Sequence, residues 1–132
     1  MIAAGKQSIT DALASVTYVP DRTPASSLDG SADRAFASLG AYRDGAIHVG
    51  HYSGSSEWER HRAGDEIVLV LGGSTALVLL VDGVQTRHEL AANELLVVPQ
   101  GTWHRFEDAR DLRVLAVTPA PTDHQLALPE NG

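Results

Sequence analysis

The sequence contains no cysteine. A disulfide framework, a thiolate nucleophile and a cysteine-held zinc or iron–sulfur site are therefore excluded, so any metal has to be held by histidine and carboxylate. Basic residues are scarce as well: 10 Lys and Arg stand against 17 Asp and Glu, a formal net charge of −7. That balance argues against a nucleic-acid or anionic-membrane partner, because phosphate recognition rests on clustered Lys and Arg. No apolar run approaches the length of a membrane span, and MIAAGKQSIT lacks the apolar segment of a signal peptide. A cytoplasmic location is the expectation. Neither GxGxxG nor GxxxxGK[ST] occurs, and no long helical period separates the strand-like runs, so a Rossmann-type sheet is not expected.

What is present is enough apolar material for a core: 43% of 132 residues are hydrophobic and 20% charged, the balance of one globular domain. Residues 1–44 read as an N-terminal segment. Ser8 and Asp11 resemble a capping box, and Ile9, Ala12, Leu13 and Val16 fall on one helical face, which predicts a short helix. PDRTPASSLDGSAD, from Pro20 to Asp33, is rich in turn residues and reads as a surface loop. Residues 121–132 form a proline-punctuated tail, and both ends are expected to pack on the body or reach a neighbouring subunit.

Residues 45–120 are all β in character. AIHVGHY, EIVLVLGG, TALVLLVDG, VQTRHEL, ELLVVPQG, TWHRFE and LRVLAVTP are short strand-like runs separated by Gly, Asp, Asn or Pro. Asp82-Gly83 between two of them signals a hairpin. Short antiparallel strands at this spacing suggest a sandwich, a barrel or a jelly roll. DEIVLVLGG and NELLVVPQG, 28 residues apart, form a faint internal repeat.

The chemistry concentrates in WERHRAGDE, where Glu59, His61 and Glu66 directly precede an apolar run. Strand alternation puts Glu57, Glu59 and His61 on one side, with Trp58, Arg60 and Arg62 on the other. A hairpin turning at Ala63-Gly64 would bring Glu66 within reach of Glu59 and His61. Downstream, Thr102, His104 and Phe106 share a face opposite Trp103 and Arg105. Two imidazoles and two carboxylates converging on a barrel interior suit a divalent iron, manganese, zinc, nickel or cobalt ion. Without a metal, Glu59 and Glu66 would repel, and one would tend to keep its proton. The same spacing also suits charged side chains solvated at a strand end, with His104 hydrogen-bonded in a core.

Two further spacings bear on that choice. Glu59-x-His61, four residues, Glu66, six residues and Gly73 form the first; Asn93, five residues, Pro99-x-Gly101, two residues, His104 and then Asp108 form the second. Together they resemble the two motifs of the cupin superfamily, in particular its small single-domain bacterial members. Glu59 stands for the first histidine of the His-x-His pair, Asn93 for a glycine and Asp108 for an asparagine, while Gly54 lies one position nearer than the leading glycine. The resemblance covers about residues 45–120. It implies an all-β double-stranded β-helix, a cupin or jelly-roll barrel preceded by the short helical segment. It also implies a divalent metal ion held by Glu59, His61, Glu66 and His104. Glu at position 59 makes such a site more acidic. Small cupins commonly pair through sheet edges, so the resemblance further implies a homodimer.

Function follows as an expectation: a metal-dependent enzyme acting on a small organic molecule, first a dioxygenase for an aromatic or enolisable acid, then an isomerase or lyase. Glu59 or Glu66 would serve as the base if only three ligands bind. The alternative is a non-catalytic sensor or carrier of a metabolite or the metal. His51, Thr102 and Phe106 are the candidate pocket walls, and Asp65 is the fallback ligand if the turn register differs by one. His48, His88 and His124 read as surface residues. Trp58 and Trp103 are expected to pack between layers, and Arg60, Arg62 and Arg105 to form surface ion pairs rather than capture a substrate carboxylate.

Overall fold

Two strands far longer than the apolar runs composing them organise the molecule. The computed structural model describes residues 5–130. Its elements are α1 (Ile9–Ser15), β1 (Val19–Arg22), α2 (Pro24–Leu28), a 3-10 turn (Asp33–Ala35), β2 (Phe36–Tyr42), β3 (Gly45–Gly54) and β4 (Trp58–His61). They continue with β5 (Glu66–Val81), β6 (Val84–Ala91), β7 (Leu95–Val98), β8 (Trp103–Pro119) and β9 (Thr122–Gln125). The runs read as separate strands on either side of Gly72-Gly73 are one strand, β5, and those flanking Asp108 to Asp111 are one strand, β8. Register shifts between Val70 and Ala76 bend the pair instead of ending it. Gly73 is required at that bend: its φ is +68°, and a Cβ there would collide with the Asp111 carbonyl.

Each long strand serves two sheets. The first half of β5, Ile67 to Val70, pairs with Val114 to Val117 of β8, and the second half, Ala76 to Leu80, pairs with Trp103 to Glu107. One sheet runs β2–β3–β8–β5–β7, with β1 also joined to β3; the other runs β9–β4–β8–β5–β6. This is the expected all-β double-stranded β-helix. The β5–β6 hairpin turns on Asp82-Gly83 as expected, both residues at positive φ. The members of the faint repeat are adjacent antiparallel strands, with Glu66 opposite Val98.

The proposed hairpin between WERH and EIVLVL does not exist. β4 pairs with β8 and β9, whereas the start of β5 pairs with β7 and β8. Residues 62–65 therefore cross from one sheet to the other, and Glu66 reaches its partners across the barrel interior. Tertiary pairing overrode the local turn signal.

The ends are more structured than their turn residues suggest. α1 has the expected cap, Asp11 N–H donating to Ser8 Oγ. Pro20 to Asp33 is not a loop: β1 pairs in parallel with β3, and α2 is started by a Thr23/Ser26 capping box with Pro24 in the first turn. β2 and β9 were likewise not expected as strands. A core of Tyr52, Val68, Val70, Leu77, Leu112 and their neighbours fills the space between the sheets. Trp58 and Trp103 pack with Val78 and Leu80 in a second cluster, beneath the guanidinium groups of Arg105 and Arg60 respectively.

Candidate metal centre

β4 supplies Glu59 and His61, β8 supplies His104, and β5 supplies Glu66 from the opposite sheet. Glu59 and His104 are directly opposed on neighbouring antiparallel strands. The donor atoms of Glu59, His61, Glu66 and His104 all lie within 4.8 Å of one another. Glu66 Oε1 is 3.0 Å from His104 Nε2, and Glu66 Oε2 is 3.3 Å from His61 Nε2. Glu59 Oε1 is farther, 3.7 Å from His104 Nε2. His61, Glu66 and His104 are buried, while Glu59 is the most accessible of the four at 16%.

Each imidazole is oriented by its other nitrogen. His104 Nδ1 lies 2.9 Å from the Thr102 carbonyl, which accepts its proton, and His61 Nδ1 lies 3.0 Å from Thr122 Oγ1. Both Nε2 atoms consequently face the cluster, as second contacts of metal-bound histidines do. Thr118 Oγ1 donates to Glu66 Oε2 at 2.6 Å.

The residues fit a divalent ion. His61 Nε2 is buried and, although 3.3 Å from Glu66 Oε2, has no well-formed hydrogen bond among the described residues, so this polar atom is poorly satisfied without an ion. Two nitrogen and two carboxylate donors suit a first-row divalent metal and give no reason to expect a thiophilic one. The charges are tightly linked. Burial would depress the His104 imidazolium, but the hydrogen bond to Glu66 and the charges of Glu59 and Glu66 outweigh it and raise its pKa to about 9. Burial likewise opposes ionisation of Glu66, yet the hydrogen bond from His104 and the close approach of His61 hold its carboxyl well below the usual range. Burial pushes the Glu59 carboxyl up, His104 works against it, and the charges of Glu66 and Glu57 add to it.

A cavity of about 360 Å³ adjoins the quartet, with Glu59 and Glu66 among its lining residues. Phe106 is on its wall, along with Phe36, Tyr52 and Val114. His51 is not: its Nε2 pairs with Asp111 Oδ1 at 2.6 Å, and its ring lies against Tyr18. Alternation from the first motif does not carry back through Gly54, whose φ of +112° breaks the strand's phase. His48 and Tyr52 face the cavity instead. Burial lowers the pKa of His48. The Thr102 side chain also stands off the cavity walls, and only its carbonyl serves the site. Asp65 is no ligand; it accepts from the Gln100 backbone.

Arg22, Glu57 and His124 were missed, and all three line the cavity. Glu57 shares strand parity with Glu59 and His61, which was the available signal. His124 is exposed as expected, but it sits opposite Glu59 on β9 and lies 2.9 Å from Glu57 Oε1, so it has a partner the sequence did not indicate. Arg22 lies in the segment read as loop, with nothing local to mark it. His88, by contrast, lies outside the site, its ring bonded to Thr86 on the same strand.

Solved structures share this architecture. Protein NMB1881 from Neisseria meningitidis is 14% identical, with a TM-score of 0.64 over 88% of this chain and 100% of that one. A cupin-2 domain protein from Shewanella frigidimarina is 19% identical, with a TM-score of 0.55 over 64% of this chain and 79% of its own. Hydroquinone 1,2-dioxygenase from Sphingomonas sp. TTNP3, with 4-hydroxybenzoate bound, is 19% identical, with a TM-score of 0.53 over 70% and 67% of the two chains. At these identities the likeness is one of fold. No curated protein matches in sequence. The family model described as the cupin domain matches residues 47–118, from β3 through β8, and with the barrel that these strands build, this places the chain in the cupin family.

Proposed function

We propose that this cupin is a metal-dependent enzyme acting on a small organic molecule bound in the barrel, with dioxygenation of a small aromatic or enolisable acid as the leading reaction. The observation that carries this reading is the convergence of four donors within 4.8 Å of one another, with the buried His61 Nε2 3.3 Å from Glu66 Oε2 but without a well-formed hydrogen bond among the described residues. Glu59, His61, Glu66 and His104 would hold the ion, which would supply a Lewis-acid or redox centre beside the cavity. The chain's own residues do the rest. Glu66, fixed by Thr118 and both imidazoles, is the anchor. Glu59 is held less tightly and faces the cavity, so it is the carboxylate free to take a proton from a bound substrate. Phe106, Phe36 and Tyr52 wall the cavity with apolar surface that keeps water from the reacting end. The fold neighbour that binds 4-hydroxybenzoate supports a small aromatic ligand of this kind.

One observation favours a second reading, a non-catalytic binder. Glu66 already pairs with both histidines, so the quartet balances much of its own charge without an ion. Elemental analysis of untagged protein purified without chelators separates the possibilities, run beside His104→Ala. Near-stoichiometric iron, manganese, nickel or zinc that is lost in the variant supports the centre. Dioxygen or substrate consumption with small organic acids then distinguishes an enzyme from a binder. No metal in either protein would overturn the metalloenzyme. A homodimer belongs to the same reading, and sedimentation velocity over a range of concentrations tests it.

A further inference from the structure

Arg22 is a buried cation whose hydrogen-bonding capacity is largely unspent. It comes from β1, is 8% exposed, and lines the same cavity as Glu59 and Glu66. A guanidinium carries five N–H donors in a planar fork. Here Nε donates to Ser27 Oγ at 2.8 Å, and the Tyr52 hydroxyl also interacts with the guanidinium, which leaves the remaining N–H groups without a well-formed bond among the described residues. The nearest carboxylate, Glu57 Oε2, is 3.8 Å from Nη2, too far for a hydrogen bond. Glu57 does not close that gap because its other oxygen is engaged by His124 at 2.9 Å. Glu57 thus offsets the charge of Arg22 without taking up the fork.

The fork is also held in place. The guanidinium lies 4.5 Å from the Tyr52 ring centre and 5.1 Å from that of Phe36. Two aromatic faces and the Ser27 bond fix its plane, so little rotamer freedom remains to be lost when an acceptor arrives. A buried, preorganised guanidinium with its terminal nitrogens open is matched by a planar pair of oxygens, the geometry of a carboxylate.

We propose that Arg22 is the substrate anchor, gripping the carboxylate of a small monocarboxylic acid while the rest of the molecule extends over Phe106 towards the quartet. The inference rests on the cavity being the substrate pocket, and it adds the substrate class. One carboxylate is the limit, because Asp33, Glu57, Glu59 and Glu66 also line the cavity and disfavour a second negative charge. Arg60, Arg62 and Arg105 do not compete for this role: Arg60 and Arg62 pair with Asp123, and Arg105 pairs with Glu107.

Benzoate and benzamide, nearly identical in shape and different in charge, are the probes. Isothermal titration calorimetry with each, on wild type, Arg22→Met, Arg22→Lys and an Arg60→Met control, reads the anchor directly. In wild type and in Arg60→Met, benzoate is expected to bind roughly 10- to 100-fold tighter than benzamide, the factor of charge-assisted hydrogen bonds. Arg22→Met removes that preference by lowering benzoate affinity to the level of benzamide; Arg22→Lys keeps the charge but loses the fork and falls between. Equal affinity for the two probes in wild type overturns the proposal without reference to any variant's folding. So does a preference that survives Arg22→Met. Running the series on chelator-treated protein separates this inference from the metal. A preference that depends on Arg22 in protein that never binds metal leaves the anchor standing and removes only the metalloenzyme. Loaded metal with no such preference removes only the anchor.

Discussion

Glu66 lies between the two imidazoles of the quartet, with Oε1 3.0 Å from His104 Nε2 and Oε2 3.3 Å from His61 Nε2. It reaches them from the opposite sheet, so the site clamps the two layers of the barrel together. Glu59, on the same strand as His61, has one contact at 3.7 Å and more exposure. The two carboxylates are therefore not equivalent, although the sequence offered both as candidate bases.

That inequality predicts different losses. Glu66→Gln removes the one charge that answers both histidines, and the protein should purify without stoichiometric metal. Glu59→Gln should keep the metal at reduced affinity and lose turnover by ~10²- to 10⁴-fold, the usual contribution of a positioned base. Metal content by elemental analysis and dioxygen uptake give the two readouts. Stoichiometric metal in Glu66→Gln would reverse the ranking.

The metal-free protein should be most stable in mildly acidic solution. The His104 pKa is raised from 6.5 to about 9, so its contribution is fully present below the unfolded value and fades as pH rises through 9. The raised Glu59 carboxyl acts in the same sense, since the folded state holds its proton longer than the unfolded chain does. Glu66 is depressed, so its contribution is present above 4.5 and is lost only in strong acid. Melting temperature measured from pH 6 to 9 on chelated protein should fall. Metal displaces the His104 proton, so loading at pH 7 should release protons and give a calorimetric enthalpy that varies with the buffer's ionisation enthalpy. An enthalpy independent of buffer would show that His104 is neutral before binding.

How much of this was readable in the sequence follows a physical division. The quartet was readable because Glu59, His61, Glu66 and His104 sit at fixed offsets from turns whose backbone demands restrict the residue type. Asn93 and Asp108, two of the departures from the family pattern, have φ of 69° and 53°, and Asn and Asp are among the few residues other than glycine that tolerate that region. The cavity's far wall was not readable. Arg22 reaches it only because β1 pairs with β3 at Val19 opposite Tyr52 and Arg22 opposite Gly54, a partnership that no local pattern records. The crossing of residues 62–65 between sheets was hidden for the same reason: a turn signal says that the chain bends, not which strand it meets next.

Thr122 gives a test of the site that leaves its ligands untouched. Its Oγ1 lies 3.0 Å from His61 Nδ1 and sets the direction in which the ring presents Nε2. Thr122→Val keeps the shape and removes the contact. Metal affinity should fall ~10- to 100-fold, as when other outer contacts of metal-bound histidines are removed. Stability of the chelated protein should change by only about 1 kcal/mol. Competition against a metallochromic chelator measures the first and urea unfolding the second. An unchanged affinity would mean that β9 holds His61 by packing alone.

The bend in β5 makes the barrel's last demand on the sequence, and it can be tested at two positions of similar φ. Gly73 has φ +68° and no room for a Cβ against the Asp111 carbonyl. Gly73→Ala should therefore cost at least ~1–3 kcal/mol, strain and steric displacement together. Asn93 has φ 69° and an exposed side chain, so Asn93→Gly relieves a modest left-handed strain while loosening the unfolded chain, and the two effects should cancel to within about 1 kcal/mol. Urea titrations of both variants, with equal m-values, decide it. A Gly73→Ala variant as stable as the parent would mean that the two halves of β5 are coupled loosely enough to shift past Asp111. Glu66, in the half before the bend, and the β5–β8 pairing around His104, in the half after it, would then lack the rigid relation on which the proposed centre depends.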